Sequence, residues 1–375
     1  MPKGAGLVQV RAAVLTDYGS LSVQTLELAP PGPGEVLVRI AAAGVCHSDY
    51  HVLSGDLPLP VPMVLGHEGA GTVEQVGPGV HSVAPGTHVV LSWLPPCRRC
   101  TYCLSGHPEL CRVPAKAAAE GTLPGGQSRF RLGEEPVYQF SLTGAFAECT
   151  VVPESGVIPI PPSVSLEAAA LLGCSVLTGV GAVWRTAHVR PTESIAVFGV
   201  GGVGLNVLQG ARLVSAYPRI AVDISPQRLE AAREFGATHT VDANREDPIT
   251  AILACTEGQG VDAAFEAIGR PDTIANAFNA IRPGGRAVAI GVAPPNAEVT
   301  LNAFAFPSQE KMLVGSWYGE SDPARDIPPL LRLHAAGDLQ LEQLISARLP
   351  LEGLQRAFEQ MLTGETRRSL ILPAG

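Results

Sequence analysis

The 375-residue sequence is poor in aromatic side chains and in long apolar runs. Phe, Trp and Tyr make up 5% of it, and no stretch approaches the roughly 18 apolar residues that a membrane-spanning helix needs. Positive charge is scarce as well, because 26 Lys and Arg are outnumbered by 35 Asp and Glu, which gives a formal net charge of −9. Nucleic-acid binding proteins usually present a basic patch, so we expect neither a membrane nor a nucleic-acid partner.

Low-complexity segments and repeats are lacking too, which argues against a flexible linker or a repeat array. Residues 1–6 have no apolar core of the kind found in secretory signals, and we expect a cytoplasmic protein. Glycine and proline are plentiful, with 41 and 33 residues, and apolar residues make up 46% of the chain. This length and composition suit two domains with large buried interiors and many tight turns.

The apolar segments change their spacing along the chain. Up to about residue 180 they are short strand candidates broken by Gly and Pro, which predicts a β-rich domain. From about residue 192 short apolar runs alternate with helical stretches, an order that builds a parallel sheet covered on both faces. The strand candidates are 9–15, 35–41, 69–76, 87–93, 195–198, 220–223, 239–241, 261–266, 287–290, 313–317 and 369–372, the last of which is expected to rejoin the first domain.

Four of the eight cysteines lie within fifteen residues, on a loop rich in proline. They are Cys97, Cys100, Cys103 and Cys111. C-x2-C spacing lets successive thiolates turn towards one ion, and four thiolates complete the tetrahedral shell of a structural zinc that takes no part in chemistry. Without an export signal, this spacing predicts a structural zinc lobe at residues 95–113; an iron–sulfur cluster and a disulfide pair are the alternatives.

Other candidate ligands are dispersed along the sequence, at Cys46, His67 and Cys174. A catalytic zinc keeps three protein ligands and leaves one position for water or substrate, and a Cys2His set satisfies that rule. Taken singly, His67 fits a packed core histidine and Cys174 an ordinary buried thiol. The remaining cysteines, Cys149 and Cys255, are interpreted as inert buried thiols.

A glycine-rich motif follows an apolar strand and opens a helix. In that context the glycines allow a tight turn and a close approach to a pyrophosphate, while the helix N-terminus favours its negative charge. Asp223 ends the next strand, where its carboxylate can bind the ribose hydroxyls of NAD and would repel the 2′-phosphate of NADP. Arg228, one helical turn on, either reaches the same ribose or is a solvated helix residue. The candidate cofactor residues of the motif are Gly199, Gly201, Gly202, Val203 and Gly204.

Five motifs occur in one order along the chain, and together they resemble the zinc-containing medium-chain alcohol dehydrogenases. The resemblance extends over essentially the whole sequence. It implies an α/β fold in which a doubly wound, parallel Rossmann sheet joins a β-rich GroES-like catalytic domain. The motifs are residues 44–49 (GVCHSD), 66–71 (GHEGAG), the four-cysteine lobe, 172–174 (LGC) and 199–204 (GVGGVG).

The resemblance also implies domain boundaries and two zinc ions per subunit, one structural and one catalytic. The catalytic domain is expected to comprise residues 1–180 and 323–375, and the NAD-binding domain residues 181–322. Asp49 is expected to accept the ring N–H of His67 from outside the ligand shell. The implied ligands of the catalytic zinc are Cys46, His67 and Cys174. Glu68 is expected to modulate the field of the ion or to enter its coordination transiently, and a purely structural role is the alternative.

The implied reaction is the reversible oxidation of a primary alcohol to an aldehyde. The charge of the zinc ion would stabilise the alkoxide near neutral pH, and the alkoxide would transfer a hydride to nicotinamide. Ser48 and His51 resemble the family's relay, which carries the proton through the cofactor ribose to solvent. A solvent-facing loop histidine is the other interpretation of His51. His47 and Arg368 match family positions that contact the pyrophosphate.

The same resemblance implies a substrate channel lined by Ser48, Leu57, Trp93, Phe140 and Tyr318, although each of these also fits an ordinary core side chain. Trp93 is expected to crowd the inner part and to favour primary over bulky secondary alcohols. The long segment 121–146 resembles the dimeric branch of the family, and strand candidate 313–317 is a sheet edge suited to pairing with its twin across a two-fold axis. We therefore expect a homodimer.

Related activities remain open from the sequence. A formaldehyde dehydrogenase would act on an adduct with glutathione or mycothiol. The glutathione-type branch carries Arg where this chain has Ala115, whereas segments 316–319 and 326–328 resemble the mycothiol-linked branch. A nicotinoprotein, which keeps its NAD bound, is similar over most of the chain. A non-catalytic relative or a zinc-free quinone reductase would require loss of the zinc ligands, and all three are present.

Overall fold

The structure, a computed structural model, describes residues 6–374. Up to residue 181 its strands and α-helices are β1 (Val8–Asp17), β2 (Ser20–Leu28), β3 (Glu35–Gly44), α1 (His47–Ser54), β4 (Met63–Val64), β5 (Glu68–Val76), β6 (His88–Leu91), α2 (Thr101–Leu104), α3 (Arg112–Glu120), β7 (Phe130–Leu132), β8 (Glu135–Gln139), β9 (Cys149–Pro153), β10 (Val157–Pro159), α4 (Leu166–Ala170) and α5 (Ser175–Gly181).

From residue 195 they are β11 (Ile195–Phe198), α6 (Gly202–Leu213), β12 (Arg219–Asp223), α7 (Pro226–Glu234), β13 (His239–Asp242), α8 (Pro248–Cys255), β14 (Val261–Glu266), α9 (Pro271–Ala280), β15 (Ile281–Ala289), α10 (Ala305–Gln309), β16 (Met312–Gly315), α11 (Pro323–Ala335), β17 (Ile345–Leu349), α12 (Leu354–Thr363) and β18 (Arg368–Ile371). Single turns of 3-10 or π-helix occupy Pro108–Leu110, Phe140–Leu142, Glu154–Gly156, Leu171–Gly173, Ala182–Thr186, Tyr318–Glu320, Glu342–Leu344 and Leu351–Gly353.

The described chain divides into two compact units. The first comprises the residues up to 174, 322–329 and those from 341 on, and the second comprises 175–321 and 330–340. One boundary between the two units lies in the middle of α11, directly after the tandem prolines Pro328 and Pro329. A proline inside a helix removes one backbone hydrogen bond and crowds the preceding turn, which makes this a natural place for the helix to pass from one unit to the other.

The sequence prediction assigned α5 and segment 330–340 to the first domain, but both cluster with the second unit. Helix α5 packs so closely on α6 that a Cβ on Gly179 would lie 2.6 Å from the carbonyl oxygen of Val203. Segment 330–340 is held by Gln209 on α6, whose amide nitrogen donates to the carbonyl of Gln340 at 3.0 Å and whose amide oxygen accepts the N–H of Gln340 at 2.8 Å. Such long-range pairing is invisible to local sequence patterns.

The first unit is built from β-strands. A closed barrel has the strand order β1-β2-β7-β8-β4, and a second sheet has the order β10-β6-β5-β3-β18-β17, with β9 also paired to β3. Strand β18 from the end of the chain lies antiparallel to the last residues of β3, with Leu370 opposite Gly44. Among the described residues of this unit, one apolar cluster surrounds Val36, Ile40, Phe146 and Phe358 and another surrounds Leu26 and Phe130.

The second unit contains one six-stranded sheet with the order β13-β12-β11-β14-β15-β16, and every pair is parallel. The sequence predicted such a sheet, and this strand order is typical of dinucleotide-binding folds. All four residues of β11 are buried, as a continuously apolar central strand requires. Helices α7, α8 and α9 each begin with proline, and Ser225 and Asp247 cap the first two.

Candidate zinc and cofactor sites

Cys46, His67 and Cys174 lie at the ends of three different elements of the first unit. Cys46 is the N-cap residue of α1, His67 directly precedes β5, and Cys174 follows the 3-10 turn Leu171–Gly173. Their ligand atoms all lie within 4.8 Å of one another, and all three residues are buried. Two sulfur donors and one nitrogen donor, three ligands where a closed shell has four, fit a catalytic zinc ion.

The Asp49 carboxylate organises this cluster from the first turn of α1. It is fully buried, and its Oδ2 accepts the N–H of Cys46 at 3.1 Å. Its Oδ1 accepts the N–H of Gly66 at 3.0 Å and lies 3.1 Å from Nδ1 of His67. Because an ionised carboxylate only accepts hydrogen bonds, Nδ1 carries a proton and Nε2 of His67 is the atom left for a metal ion.

Charges within the cluster favour the thiolate form of cysteine. A hydrogen bond with Cys174, reinforced by His67 and opposed by burial, holds the pKa of Cys46 well below its usual value. Burial lowers the pKa of His67, but the charge and hydrogen bond of Asp49, assisted by Cys46, outweigh it and raise the pKa of His67 to about 10. Since zinc binds the thiolate and not the thiol, the surroundings of Cys46 prepare it as a ligand.

The glycine-rich motif of the second unit provides a turn with an open backbone. Gly199 has φ +84°, and a Cβ there would meet an isoleucine side chain at 2.3 Å. A Cβ on Gly204 would lie 2.0 Å from the carbonyl oxygen of Gly199, whereas one on Gly201 would find nothing within 4 Å. These are the tight turn, the close helix packing and the open approach that a pyrophosphate site needs. Gly202 and Val203 begin α6, where backbone N–H groups lack helical partners.

Asp223 is held beside this turn at the end of β12. Its side chain is almost fully buried. Its Oδ2 accepts the N–H of Val200 at 2.9 Å, and its Oδ1 accepts the N–H of Ser225 at 3.0 Å. The guanidinium of Arg228 lies 4.0 Å from Oδ2, within ion-pair distance. The carboxylate is therefore fixed in position next to the open backbone of the motif.

The four-cysteine lobe forms a second cluster in the first unit. The Sγ atoms of Cys97, Cys100, Cys103 and Cys111 all lie within 4.8 Å of one another, and all four cysteines are free thiols. A backbone hydrogen bond from Cys103 is the largest effect that lowers the pKa of Cys100 to about 6, and burial raises the pKa of Cys111 to about 12. Four sulfur donors with no open position fit a structural zinc ion.

Two family descriptions match the chain, Alcohol dehydrogenase GroES-like domain over residues 32–162 and Zinc-binding dehydrogenase over residues 202–336. S-(hydroxymethyl)glutathione dehydrogenase from Synechocystis sp. is 39% identical over 365 residues, which cover 96% of this chain and 99% of that protein. The chain belongs to the zinc-containing medium-chain alcohol dehydrogenase family.

Solved structures agree with this assignment. Benzyl alcohol dehydrogenase from Acinetobacter calcoaceticus is 31% identical and has a TM-score of 0.93, with 98% of this chain and 99% of that one covered. A zinc-binding dehydrogenase from Sinorhizobium meliloti bound to NADP is 27% identical and has a TM-score of 0.82, with 98% and 100% covered. The predicted family, the α/β fold class with its Rossmann and GroES-like parts, and zinc as a cofactor are thereby confirmed.

In this dehydrogenase Glu68 does not join the three-ligand cluster. Its carboxylate is fully buried and forms an ion pair with Nη2 of Arg368, which is itself buried on β18. Gly44 leaves room for the pair, because a Cβ there would lie 2.2 Å from Oε2 of Glu68. This ion pair is a structural role for Glu68, and its expected transient entry into the zinc shell stays a prediction. The predicted contact of Arg368 with a pyrophosphate stays a prediction.

Helix α1 carries the predicted relay residues. Ser48 is half-buried with Oγ 3.9 Å from Sγ of Cys46, and His51 lies three residues further on, on the same side of the helix. Nδ1 of His51 is 3.5 Å from Oδ2 of Asp56, and the His51 side chain is 25% exposed. Hydrogen bonds from Ser54 and His51 lower the pKa of Asp56. Sequence reasoning missed Asp56, since no motif includes a loop residue after α1. His47 is exposed on the first turn.

Two aromatic rings face the imidazole of His67. The Phe140 ring lies edge-on to it, with centroids 5.4 Å apart and planes at 84°, and the half-buried Trp93 ring lies at 6.3 Å and 88°. Leu57 packs half-buried against the core of the first unit. Tyr318 belongs to the second unit and is 2% exposed, so its place in a substrate channel stays a prediction.

Two smaller expectations concern the remaining thiols and the membrane. Cys149 and Cys255 are half-buried instead of buried, and burial raises the pKa of Cys149 to about 11.

Within the described residues no single helix is long and apolar enough to cross a membrane, although the bent pair Leu166–Gly173 and Ser175–Thr186 together satisfies the length and composition.

Proposed function

We propose that this dehydrogenase oxidises primary alcohols to aldehydes, reversibly, with NAD as the hydride acceptor. The observation that carries the proposal is the three-ligand cluster around His67 with Trp93 and Phe140 edge-on to the imidazole. An incomplete metal shell can accept one substrate oxygen, and aromatic walls suit an apolar substrate of modest size. The activity named for the Acinetobacter calcoaceticus relative, benzyl alcohol oxidation, supports the same substrate class.

The zinc ion, when bound, supplies the positive charge that makes an alcohol a stronger acid near neutral pH. The protein side chains orient the donors around it. Asp49 holds the His67 ring with Nε2 inward and fixes the backbone of Cys46 at the start of α1. Burial of Cys46 and Cys174 excludes bulk water from the sulfur donors, so the local charges act with little screening.

The proton of the alcohol leaves along α1. Ser48 accepts it first, because its hydroxyl is half-buried and lies 3.9 Å from the ligand atom Sγ of Cys46. His51 then passes the proton to solvent, and its partly exposed ring is suited to that step. Asp56 lies close enough to stabilise the charge that His51 carries in passing.

The second unit binds NAD, with the pyrophosphate at the open backbone of Gly201 and the N-terminus of α6. Asp223 binds the ribose hydroxyls and excludes the 2′-phosphate of NADP, and Arg228 assists from α7. Pyrophosphate contacts of His47 and Arg368 remain part of the proposal, as the family resemblance implies. A cytoplasmic enzyme would encounter both NAD and NADP, so the Asp223 carboxylate determines which of the two cofactors binds.

We expect a homodimer joined through β16. This strand is the edge of the six-stranded sheet, and unpaired edges invite pairing with another strand. Four large apolar side chains on and near it are exposed, namely Phe304, Phe306, Met312 and Trp317. Antiparallel pairing of two β16 strands around a two-fold axis would cover both the edge and these side chains.

A thiol-dependent formaldehyde dehydrogenase is the second candidate. The name of the Synechocystis relative, S-(hydroxymethyl)glutathione dehydrogenase, favours it, since that protein is 39% identical over nearly the whole chain. Ala115 lies on α3, where it offers no charge to a glutathione carboxylate. A mycothiol adduct is therefore favoured over a glutathione adduct as the substrate of this second candidate. A nicotinoprotein that retains its NAD is a separate alternative.

One sample distinguishes these candidates. The purified protein is assayed for zinc and for retained NAD after gel filtration, and then for NAD reduction with primary alcohols and with formaldehyde in the presence and absence of glutathione or mycothiol. We expect two zinc ions per chain and thiol-independent oxidation of primary alcohols. NAD reduction that requires formaldehyde and a thiol would replace the proposal with the second candidate.

A further inference from the structure

The turn that carries Phe140 has an unusual backbone. Ser141 has φ 50° and Leu142 has φ 60°, although neither is glycine and both are buried. Left-handed conformations are unfavourable for residues with a Cβ, and consecutive ones are rarer still. Such a turn persists only where its surroundings hold it, and strain of this kind is typical of functional sites.

The side chain of Thr143 keeps this turn in its left-handed conformation. Its Oγ1 donates towards the carbonyl oxygen of Gly66 at 2.9 Å and lies 3.0 Å from the carbonyl oxygen of Phe140. The Phe140 carbonyl also accepts the N–H groups of Thr143 and Gly144, at 3.0 and 3.1 Å, which closes the turn. The Thr143 carbonyl in turn accepts the hydroxyl of Thr150. Thr143 is fully buried, so this hydroxyl has no competing water.

Gly66 links this turn to the zinc site. It directly precedes the ligand His67, and its N–H donates to Asp49, the same carboxylate that orients the His67 ring. The Thr143 hydroxyl therefore connects the residue before the metal ligand with the residue whose ring faces that ligand. The Phe140 ring lies 5.4 Å from the imidazole, so a small movement of the turn changes the space beside the metal site.

We propose that Thr143 is a positioning residue that sets substrate selectivity, because its hydroxyl holds the strained Phe140 turn against Gly66 and so fixes the Phe140 ring beside His67. The proposal rests on the proposed function for the nature of the substrate. A substrate with a ring or branched chain fills the space up to the Phe140 wall, whereas ethanol is too small to depend on it. Thr143 is not one of the three candidate ligands and acts through Gly66 and Phe140, which its hydroxyl contacts.

The test compares Thr143→Val, which keeps the shape and removes the hydroxyl, with Thr143→Ser, which restores it. The matched control is Thr122→Val, because Thr122 is also buried in the first unit and its hydroxyl has no hydrogen-bond partner among the described residues. Two readouts are used: the ratio of kcat/KM for benzyl alcohol to that for ethanol, and hydrogen exchange of the peptide spanning residues 140–147.

We expect Thr143→Val to lower the ratio about tenfold, mainly through a higher KM for benzyl alcohol, and to accelerate exchange in this peptide. Thr143→Ser should restore both, and Thr122→Val should change neither. A purely structural role would reduce the active fraction for both alcohols equally and leave the ratio unchanged, which would overturn the proposal.

Failure of the proposed function is separable from this result. If the wild-type protein oxidises neither alcohol, the proposed function is wrong and with it the selectivity that the Thr143 hydroxyl is proposed to set. The exchange data then decide whether Thr143 holds the turn at all: faster exchange in Thr143→Val than in Thr122→Val retains the positioning role, and equal rates remove it as well.

Discussion

Arg98 and Asp322 form a two-point ion pair that ties the four-cysteine lobe to the residue directly before α11. Nη1 of Arg98 contacts Oδ2 of Asp322, and Nη2 lies 2.7 Å from Oδ1. Arg98 sits between two cysteines of the lobe with φ 59°, and Asp322 N–H donates to Asp326 at 2.8 Å. A zinc ion in a closed four-sulfur shell has no chemical role, so its function is to stabilise the position of the lobe. This pair joins residues 224 positions apart.

The first prediction concerns zinc retention by the lobe. Arg98→Ala should destabilise it by about 1 kcal/mol, because the guanidinium is half exposed and partly screened. That corresponds to about fivefold faster loss of the structural zinc to a chelator. The matched control is Arg99→Ala, which changes the exposed neighbouring arginine. Equal release rates in the two variants would show that the pair does not stabilise the lobe.

The pH dependence of the same pair follows from Asp322. Burial raises the pKa of its carboxyl, but the hydrogen bond and charge of Arg98 outweigh burial and lower the pKa below 3.8. The unfolded state therefore holds the proton more tightly, and the pair stabilises the protein above the unfolded pKa and loses this effect as the pH falls through the folded one. In urea unfolding, the difference between wild type and Asp322→Asn should be constant from pH 8 to about pH 5 and shrink towards pH 3.

Asp49 provides a test of the catalytic zinc that does not depend on activity. Asp49→Asn keeps the side-chain shape but removes the charge that orients His67, and we expect the affinity of this site for zinc to fall about 10- to 100-fold. After dialysis against a chelator the variant should hold about one zinc per chain where wild type holds about two. Asp17→Asn, on the exposed end of β1, is the control. A variant that retains both ions would exclude the orienting role.

Cofactor choice is tested at the end of β12. Asp223→Asn keeps acceptor oxygen for one of the two backbone N–H groups and removes the negative charge, so kcat/KM for NADP relative to NAD should rise about tenfold or more. Asp223→Gly should act in the same direction with a larger loss of stability. Asp242→Asn changes the last residue of the neighbouring strand β13 and should leave the ratio unchanged. A constant ratio in all variants would remove Asp223 from the cofactor site.

The relay makes a prediction about the pH–rate profile. His51→Gln should slow alcohol oxidation about tenfold or more at low pH and less at high pH, where hydroxide can take the proton instead. The control is His81→Gln, an exposed histidine of the same unit outside α1. If the profile keeps its shape and only its height changes, His51 does not carry the proton.

The sequence predicted these sites unequally, for physical reasons. The Cys97–Cys111 spacing and the glycine motif are local, because neighbouring residues alone determine the turn geometry that each site requires. Cys46 and Cys174 are 128 positions apart, and only the resemblance to a family joined them to His67. No local pattern could reveal that Glu68 pairs with Arg368 on β18, or that the Thr143 hydroxyl reaches Gly66, because both contacts join residues far apart in the sequence.

Trp93 sets the last prediction, which concerns the size of the substrate. Its ring lies edge-on to the imidazole of His67, as does the ring of Phe140. The two rings narrow the space beside the zinc ligands. Trp93→Ala should raise kcat/KM for branched secondary alcohols about tenfold relative to primary ones, because an indole no longer fills the inner channel. Trp93→Phe keeps a smaller ring and should fall between wild type and Trp93→Ala. A graded change in this ratio, at constant zinc content, would identify the indole as the size filter, and an unchanged ratio would place the restriction at another side chain.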